Sequence, residues 1–521
     1  MFTPNGLPVK NIEKVMLLAM WANSLSEEKI TQKSTDKFIF AGLGKPTYPI
    51  NKNTIISYQN YWQKMNKLAE QWFVDPEKLS ESAAIGYGDP RSDKEPKEIM
   101  AKAMSHWYQA NIQPENILFT VGGISALHII FETLNSIYEN IHQYRVITPF
   151  PHYSAYANNP NHCLHPVHVM NSPGYQLMAS ELQKSITEAY ELAKSDNKTP
   201  KAVLICNPSN PLSTVINKDE LIKIADCLRN YPELHIILDE AYAEMSYVDM
   251  PSFFNVAPDL IPRMIVLRSA TKALSAAGER MAILMAFDRE LMNQMVNKSV
   301  SYYVHAPRSA QFSYANTMAN FTENDRLLLA DFYKNKVNYV MDRIKDMGAA
   351  MPNAEYKIEA TFYALADFSD LFGMEMPEES KRVFKDAPTI ETDEHLAYYL
   401  LFEDLLMIAP LSYFGLERNS GIIRITSSGS EKELSELMNR LENRLFLART
   451  QKKQILLDKI NENLLKLPTQ NLNLHNEISE EVNFLTHKND NCLKLKETNG
   501  LLTKIHNKLK DMLSLPVDSV I

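Results

Sequence analysis

The sequence predicts an α/β fold whose large domain is built on a mostly parallel sheet covered by helices. From about residue 118 to residue 284, short apolar runs alternate with longer helical stretches. The runs are "NILFTV", "YRVITPF", "KAVLICNP", "LHIILDEAY", "RMIVLRSA" and "MAILMAF". Runs bounded by turn residues and separated by helices are typical of parallel strands joined by crossover helices. Ligands of such sheets bind beyond the carboxyl ends of the strands, so the polar residues that follow each run are the candidate site.

The 521-residue chain is expected to form more than one domain, because it is too long for a single hydrophobic core. The segments "TFYALADF" and "GIIRITSS" predict strands of a second, smaller α+β domain. The expected regions are an N-terminal segment packing with the small domain (1–50), the large α/β domain (51–310), the small α+β domain (311–446) and a helical C-terminal extension (447–521).

An apolar stripe predicts the helical C-terminal extension. From Leu434 to Leu464, apolar residues recur mostly every three or four positions, which indicates one long amphipathic helix. Two further helices are expected over residues 476–495 and 501–513. Two roles stay open for them: a small helical hairpin packed on its own chain, or a surface that binds a protein partner.

Composition and charge argue against several classes of protein. Apolar residues make up 45% of the chain and charged residues 22%, as in ordinary globular proteins. The net charge of −9 argues against nucleic-acid binding, which needs basic patches. No run approaches the roughly 18 apolar residues that cross a bilayer, and Val15–Ala22 is too short for a signal peptide. Four cysteines without metal or redox spacing favour a reducing compartment, so we expect a cytoplasmic protein without a metal.

Residues able to bind a ligand follow three of the predicted strands. The pair Gly122–Gly123 stands at a strand-to-helix turn, where free amides and the helix dipole favour an anion such as phosphate. Tyr153 follows the next strand and offers a ring that can stack on a planar ligand. Asn210 lies in the stiff loop "CNPSNPLST" and can donate a hydrogen bond to a ligand oxygen. Taken singly, each residue also fits a turn or a packed core.

A carboxylate and a tyrosine follow the fourth run. Asp239 ends "IILD", and Tyr242 comes three residues later. A carboxylate at the end of a buried strand needs a cationic or hydrogen-bonding partner, which a ligand can supply. A helix-capping aspartate beside a core tyrosine explains the same two residues equally well.

The segment "SATKALSAAGER" carries the sharpest chemical pattern. Lys272 lies among small residues, after Ser269 and Thr271 and eight residues before Arg280. Hydroxyl groups and a guanidinium suit phosphate oxygens. Positive charge nearby disfavours the ammonium form of a lysine, and the neutral amine can then attack an aldehyde.

In this order, the residues resemble the class I/II aminotransferase family of fold type I enzymes, which depend on pyridoxal phosphate (PLP). The intervals are similar too: 29 residues from Asn210 to Asp239, 33 from Asp239 to Lys272 and 8 from Lys272 to Arg280. The segments "FAGLGKPTYP", "AIGYGDPRSDKEPKEIM", "IAPLSYFG" and "SGIIRITSS" resemble further family segments. The resemblance covers about residues 40–444 and implies a transferase of amino-acid metabolism, an aminotransferase acting on an amino acid and a 2-oxo acid.

The resemblance also implies a role for each residue. Lys272 would attach pyridoxal 5'-phosphate and move a proton, Asp239 would keep the pyridine nitrogen protonated, and Tyr242 would assist them. Gly44 and Arg424 would face the substrate carboxylate. The residues implied to bind the cofactor are Gly122, Gly123, Ile124 through its backbone, Tyr153, Asn210, Asp239, Tyr242, Ser269, Thr271, Lys272, Arg280 and Tyr87.

Two features bear on assembly and substrate. Tyr87 would reach the phosphate of a neighbouring subunit, so the resemblance implies a homodimer with shared active sites. Ser92 and Ser213 stand where the family has glycine, which alters loop geometry. Arg308 is a candidate for binding a second substrate carboxylate, although a solvated or interface arginine explains it as well, so the identity of the amino acid stays open.

Two other functions stay open beside amino-group transfer. The same fold supports PLP-dependent lyases and amino-acid β-decarboxylases, and the "NPSNP" loop and chain length also fit the latter. A scaffold or regulatory protein acting through the helical tail is the alternative from another class. The intact set Asp239, Lys272, Arg280 and Arg424 argues against that alternative.

Overall fold

Helices and short strands alternate along the chain in a computed structural model, which describes residues 1–9, 12–32, 37–79, 81–138, 143–158, 162–466, 472–486 and 491–514. The helices are α1 Lys14–Thr31, α2 Lys52–Val74, α3 Lys94–Tyr108, α4 Gly122–Ile137, α5 Ala179–Asp196, α6 Lys218–Arg229, α7 Phe253–Val256, α8 Ala270–Ala273, α9 Arg289–Tyr303, α10 Arg308–Ala319, α11 Glu323–Asp346, α12 Asp393–Glu403, α13 Glu431–Leu465, α14 Leu472–Thr486 and α15 Cys492–Ser514. The strands are β1 Ile39–Phe40, β2 Ile117–Val121, β3 Tyr144–Phe150, β4 His162–His168, β5 Pro200–Cys206, β6 His235–Asp239, β7 Met264–Ser269, β8 Met281–Ala286, β9 Tyr363–Asp367, β10 Leu406–Met407, β11 Ala409–Pro410 and β12 Ile422–Thr426.

A seven-stranded sheet in the order β2-β8-β7-β6-β5-β3-β4 forms the centre of the large domain. The strands β3 to β7 run parallel to one another, and β8 runs antiparallel to both of its neighbours. This arrangement confirms the predicted α/β fold with a mostly parallel sheet. The carboxyl ends of β3, β5, β6 and β7 therefore lie along one edge, where the candidate residues of the sequence follow.

Both faces of this sheet are buried under helices. In β5, Ala202 and Leu204 pack on one face, in the same hydrophobic cluster as residues of α4. Val203 and Ile205 pack on the other face with residues of α5 and α6. Successive side chains of a strand point to opposite faces, so a strand covered on both sides must be apolar throughout, as this run is.

The small domain contains a three-stranded antiparallel sheet in the order β11-β12-β9. Its strands β9 and β12 are the two segments that the sequence predicts. The N-terminal segment joins this domain, because β1 pairs in parallel with β10 and Trp21 of α1 packs edge-on against Phe402, 6.0 Å between ring centroids. These contacts support the proposed association of residues 1–50 with the small domain.

The expected domain boundary at residue 310 falls inside α10. This helix packs on the large domain: Thr317 Oγ1 lies 3.0 Å from Thr54 Oγ1 of α2, and Gln311 Oε1 accepts a hydrogen bond of 2.9 Å from the Asp93 amide before α3. We therefore propose that the large domain extends through α10 and that the small domain begins with α11.

The C-terminal extension begins as the predicted long helix, but its later helices have other bounds. α13 runs without interruption from Glu431 to Leu465. The helix predicted over residues 476–495 is wrong, because α14 ends at Thr486 and α15 starts at Cys492. Asn491 Oδ1 accepts a hydrogen bond of 2.9 Å from the Lys494 amide and so caps the start of α15. The apolar pattern of the sequence continues across this cap, which is why it predicted a single helix there.

The extension packs on its own chain. Leucine, isoleucine and valine residues of α13, α14 and α15 form one buried cluster. Arg449 of α13 is buried and donates hydrogen bonds to the Asp370 carboxylate and to the backbone oxygens of Met347, Gly348 and Cys492. The extension is therefore anchored to the small domain, and a protein partner for these helices stays a prediction.

The apolar stretch near the start of the chain belongs to a packed helix. Val15–Ala22 lies within α1, where Leu17, Leu18 and Trp21 are buried. Over the described part of the chain, no helix has both the length and the apolar character that crossing a bilayer requires.

Candidate active site

A cavity of about 430 Å³ lies at the carboxyl ends of the parallel strands. Most of the residues that the sequence predicts for the site line it, although they come from both domains. They are Gly44, Gly123, Ile124, Tyr153, Asn210, Asp239, Tyr242, Ser269, Thr271, Lys272, Arg280 and Arg424.

The turn between β2 and α4 brings a guanidinium to the start of a helix. Gly122, the first residue of α4, has a φ of +78°, and a Cβ there would lie 2.5 Å from Nη2 of Arg280. The positive φ favours glycine at this position, and the missing side chain leaves space for the guanidinium. Ser269 Oγ donates to Thr271 Oγ1 at 2.8 Å on the same side of the cavity. Hydroxyls, a guanidinium and the amides of a 16-residue helix suit an anionic group.

Lys272 carries an amine that is poised to be neutral. Burial lowers the pKa of Lys272 to about 7, and the charges of Arg424 and Arg280 act in the same direction. Its Nζ donates a hydrogen bond to the backbone oxygen of Gly44. A side chain at position 44 would clash with the Tyr363 hydroxyl, because a Cβ there would overlap that oxygen. A lysine with this pKa has a nucleophilic amine near neutral pH.

Asp239 is a buried carboxyl at the end of β6. Burial raises the pKa of the Asp239 carboxyl, and two donors oppose that rise. They are the Tyr156 hydroxyl, 2.6 Å from Oδ2, and the Ala241 amide, 3.2 Å from Oδ1. A cationic N–H group of a ligand would complete the stabilisation of this buried charge.

Arg424 is fixed in orientation but retains donors without a described protein partner. Its Nη1 donates to Asn210 Oδ1 and its Nη2 to the Gly42 oxygen, both at 2.8 Å. The guanidinium also lies over the rings of Tyr363 and Phe414, with its carbon 4.1 and 4.4 Å from their centroids. The Nε is buried and has no protein partner among the described residues. A ligand carboxylate can satisfy that donor.

Three further predicted residues make contacts that the sequence does not specify. The Tyr242 hydroxyl lies 2.7 Å from the Tyr363 hydroxyl. Asn210 uses its side-chain oxygen to orient Arg424, which leaves its amide nitrogen as the group for a ligand oxygen. Tyr153 lines the cavity with its ring edge-on to Tyr156, 5.6 Å between centroids.

Tyr87 and Arg308 do not line the cavity. Tyr87 is 90% exposed, and its ring contacts His305. Arg308 Nε donates to Asp93 Oδ2 at 2.6 Å. The structure therefore gives no support to Arg308 as the residue that binds a second substrate carboxylate within one chain.

Serine occupies two left-handed backbone positions where the resembled family has glycine. Ser213 has a φ of +61° and Ser92 a φ of +79°. Side-chain hydrogen bonds hold both residues: Ser213 Oγ bonds Thr361 Oγ1 at 2.6 Å and the Tyr363 oxygen at 3.0 Å, and Ser92 Oγ accepts from the Phe119 amide at 2.9 Å. These bonds offset the steric strain of a non-glycine residue in this conformation.

Sequence reasoning missed several residues that shape the site. Tyr156 lies in the same segment as Tyr153, and nothing local distinguishes which tyrosine reaches Asp239. Tyr363 and Phe414 come from the small domain, and their part in the site depends on how the two domains meet. Cys206 and Glu13 also line the cavity, without a motif that marks them.

The family profile "Aminotransferase class I and II" matches residues 43–441. A match over this much of the chain, on this fold and with this set of cavity residues, defines the class of protein. The chain belongs to the class I and II aminotransferase family and is an aminotransferase.

Relatives agree with this assignment, and a solved structure shares the fold. The Bacillus subtilis protein YugH, named as an aminotransferase, is 26% identical over 363 residues, or 68% of this chain and 82% of that protein. An aspartate aminotransferase of Pyrococcus horikoshii is 22% identical over 67% of this chain and 80% of its own. The fold is similar to that of the Thermotoga maritima aspartate aminotransferase, with a TM-score of 0.62 at 18% identity over 84% of this chain and 97% of that one.

Proposed function

We propose that this aminotransferase binds pyridoxal 5'-phosphate at Lys272 and uses it to move an amino group between an amino acid and a 2-oxo acid. One observation carries the proposal: a lysine with a pKa of about 7 shares a cavity with a buried aspartate and with an arginine against a glycine turn. Pyridoxal phosphate carries an aldehyde for the lysine, a ring nitrogen for the aspartate and a phosphate for the arginine.

The residues fit each end of this cofactor. The phosphate would bind the first amides of α4 together with Ser269, Thr271 and Arg280, where the glycine turn leaves room. Asp239 would pair with the ring nitrogen, since its buried carboxylate has only two protein donors in the described contacts. Tyr153 would cover one face of the ring. When bound, the cofactor supplies the electron sink for the reaction.

The protein's own groups then hold the substrate and move protons. Lys272 would hold the cofactor through its neutral amine, and the same amine would be the base that takes the proton from the substrate α-carbon. A positioned base of this kind typically contributes about 10²–10⁴-fold to the rate. Arg424 would bind the substrate carboxylate beside Gly44, because its orientation is fixed by Asn210 and its guanidinium lines the cavity. Tyr242, bonded to Tyr363, would donate to the cofactor's phenolic oxygen.

We also propose a cytoplasmic homodimer with shared active sites. The exposed Tyr87 is the residue that would reach the partner's phosphate site. α2 and the segment after it present large apolar side chains to solvent, which favours a protein interface there. They are Ile55, Ile56, Trp62, Trp72, Phe73, Val74 and Ile85.

Product analysis tests the reaction. Protein loaded with pyridoxal phosphate is incubated with single amino acids, with and without a 2-oxo acid acceptor. We expect a new 2-oxo acid that turns over only when the acceptor is present, and no product from Lys272→Ala. Acceptor-independent release of carbon dioxide or ammonia would instead favour the decarboxylase or lyase alternative.

A further inference from the structure

The wall of the cavity near α1 is apolar except for one carboxylate. Val15 and Met16, in the first turn of α1, line the cavity together with Leu43 and Ile124. Met16 and Ile124 remain 49% and 45% exposed, so this wall has apolar surface that a ligand can bury. Glu13, the residue before α1, is the carboxylate.

Glu13 is held at the site by a contact with the residue that follows Tyr153. Its Oε1 accepts a hydrogen bond from Ser154 Oγ at 2.5 Å. Glu13 and Tyr153 are close enough to interact electrostatically. Burial raises the pKa of the Tyr153 hydroxyl, and the charge of Glu13 raises it further. The carboxylate therefore lies in the cavity near the tyrosine proposed to cover the cofactor ring.

Four cations line the cavity in the described part of the chain, and three of them have roles assigned above. Among the described lining residues, they are Lys45, Lys272, Arg280 and Arg424. The last three are assigned above to the cofactor and the α-carboxylate. Lys45 is exposed and lies near Glu433, whose carboxyl pKa is lowered chiefly by Ser430 and also by the charge of Lys45. Among these described lining cations, only Lys45 has no assigned role, and no ion pair joins it to Glu13 in the described contacts.

We propose that Glu13 is a specificity-determining residue that rejects dicarboxylic substrates, so that the enzyme prefers amino acids with an uncharged, apolar side chain. This inference rests on the proposed function. Like charges brought together in a partly desolvated cavity repel strongly. The apolar lining residues Met16, Leu43 and Ile124 offer surface that an aliphatic side chain can bury.

The test compares substrates in the wild type and in Glu13→Gln, which removes the charge and keeps the size. We measure kcat/KM for leucine, methionine, aspartate and glutamate. The wild type should prefer the apolar pair by at least about tenfold, and Glu13→Gln should reduce that preference by about tenfold, through better use of the acidic pair. Glu27→Gln, a charge removal on the exposed part of α1, should leave the ratio unchanged.

Three results would contradict these expectations in distinguishable ways. Preference of the wild type for aspartate or glutamate would overturn the inference and leave the proposed function intact. An equal change in kcat/KM for all four substrates in Glu13→Gln would also overturn it, because a structural role acts on every substrate alike. No acceptor-dependent turnover with any of the four, in protein that carries the cofactor on Lys272, would overturn the proposed function and the inference with it.

Discussion

The Tyr156 hydroxyl donates a 2.6 Å hydrogen bond to the Asp239 carboxylate, joining the segment after β3 to the end of β6. The strand β5 lies between these two strands in the sheet, so the bond spans the edge where the cavity opens. Burial favours the neutral form of the Asp239 carboxyl, and two protein donors stabilise its ionised form. The Tyr156 hydroxyl is one of these two donors. Tyr156 is therefore a positioning residue for Asp239.

Removal of this hydroxyl should impair catalysis through Asp239. In Tyr156→Phe, the pKa of the Asp239 carboxyl should rise further, because a donor to its ionised form is lost. A hydrogen bond to a charged group contributes about 1.5–3 kcal/mol, so we expect kcat/KM to fall about 10- to 100-fold. The acidic limb of the pH–rate profile should move to higher pH.

A remote tyrosine provides the control for that experiment. The Tyr144 hydroxyl donates to the Phe131 oxygen at 3.2 Å within the core of the large domain. Tyr144→Phe should change stability but leave the position of the pH–rate profile unchanged. Identical profiles for the two variants would show that Tyr156 does not act through Asp239.

The amine of Lys272 should titrate near neutrality in cofactor-free protein. With a pKa of about 7, it is protonated and unreactive below that pH and neutral above it. The rate of its labelling by an amine-reactive ester, followed by peptide mass spectrometry, should rise with a midpoint near pH 7. Arg424→Gln removes a neighbouring positive charge, so its midpoint should lie higher.

The sign of the linked stability follows from the same shift. The pKa of Lys272 in the folded protein lies below the ordinary value of 10.5. As the pH falls from about 10.5 to 7, the unfolded chain therefore takes up a proton on Lys272 while the folded chain leaves it neutral. Lys272 therefore lowers the free energy of unfolding by its full amount below about pH 7. This destabilisation decreases as the pH rises and is gone above about pH 10.5. A labelling midpoint above about pH 9 would contradict the assigned shift.

The left-handed backbone of Ser213 should invert the usual order of alanine and glycine substitutions. Ser213→Ala keeps the strained φ and loses the two side-chain hydrogen bonds, which should lower the free energy of unfolding by about 2 kcal/mol. Ser213→Gly loses the same bonds but relieves the strain, so it should be destabilised less. Urea unfolding of the three proteins measures the order. Greater loss in the glycine variant would be inconsistent with the observed conformation.

Arg449 should be essential for anchoring the C-terminal extension. Arg449→Met leaves the Asp370 carboxylate without its buried partner and removes donors from three backbone oxygens, so we expect a loss of about 3–5 kcal/mol in the free energy of unfolding. Lys452 also contacts Asp370, at 3.3 Å, but is half exposed. Lys452→Met should therefore lose less than about 1 kcal/mol. Similar losses in both variants would argue against Arg449 as the anchor.

The features that local sequence determines were predictable. The strands β5 and β6 are short apolar runs that end in polar residues, and a parallel sheet brings those ends to one edge. Together with the resemblance to the class I/II aminotransferases, this pattern assigned Asp239, Lys272 and Arg280 to one site before any tertiary information. The long helix α13 followed from periodicity in the same way.

The features that depend on tertiary packing were not predictable. Tyr363 and Phe414 lie over Arg424 within the small domain. All three residues reach the cavity at the strand ends only because the two domains pack together, and no periodicity encodes that approach. The start of α15 depends on the Asn491 cap, which interrupts an apolar stripe that itself continues. Ser213 adopts a conformation that its residue type disfavours, because Thr361 and the Tyr363 backbone hold its side chain.

Covalent attachment of the cofactor is the most direct test of the site. Purified protein is loaded with pyridoxal 5'-phosphate, reduced with borohydride and digested, and the modified lysine is identified by peptide mass. We expect the pyridoxyl group on Lys272, and no stoichiometric labelling in Lys272→Ala. Labelling of a different lysine, or none in wild-type protein with an intact fold, would contradict the proposal that Lys272 holds the cofactor.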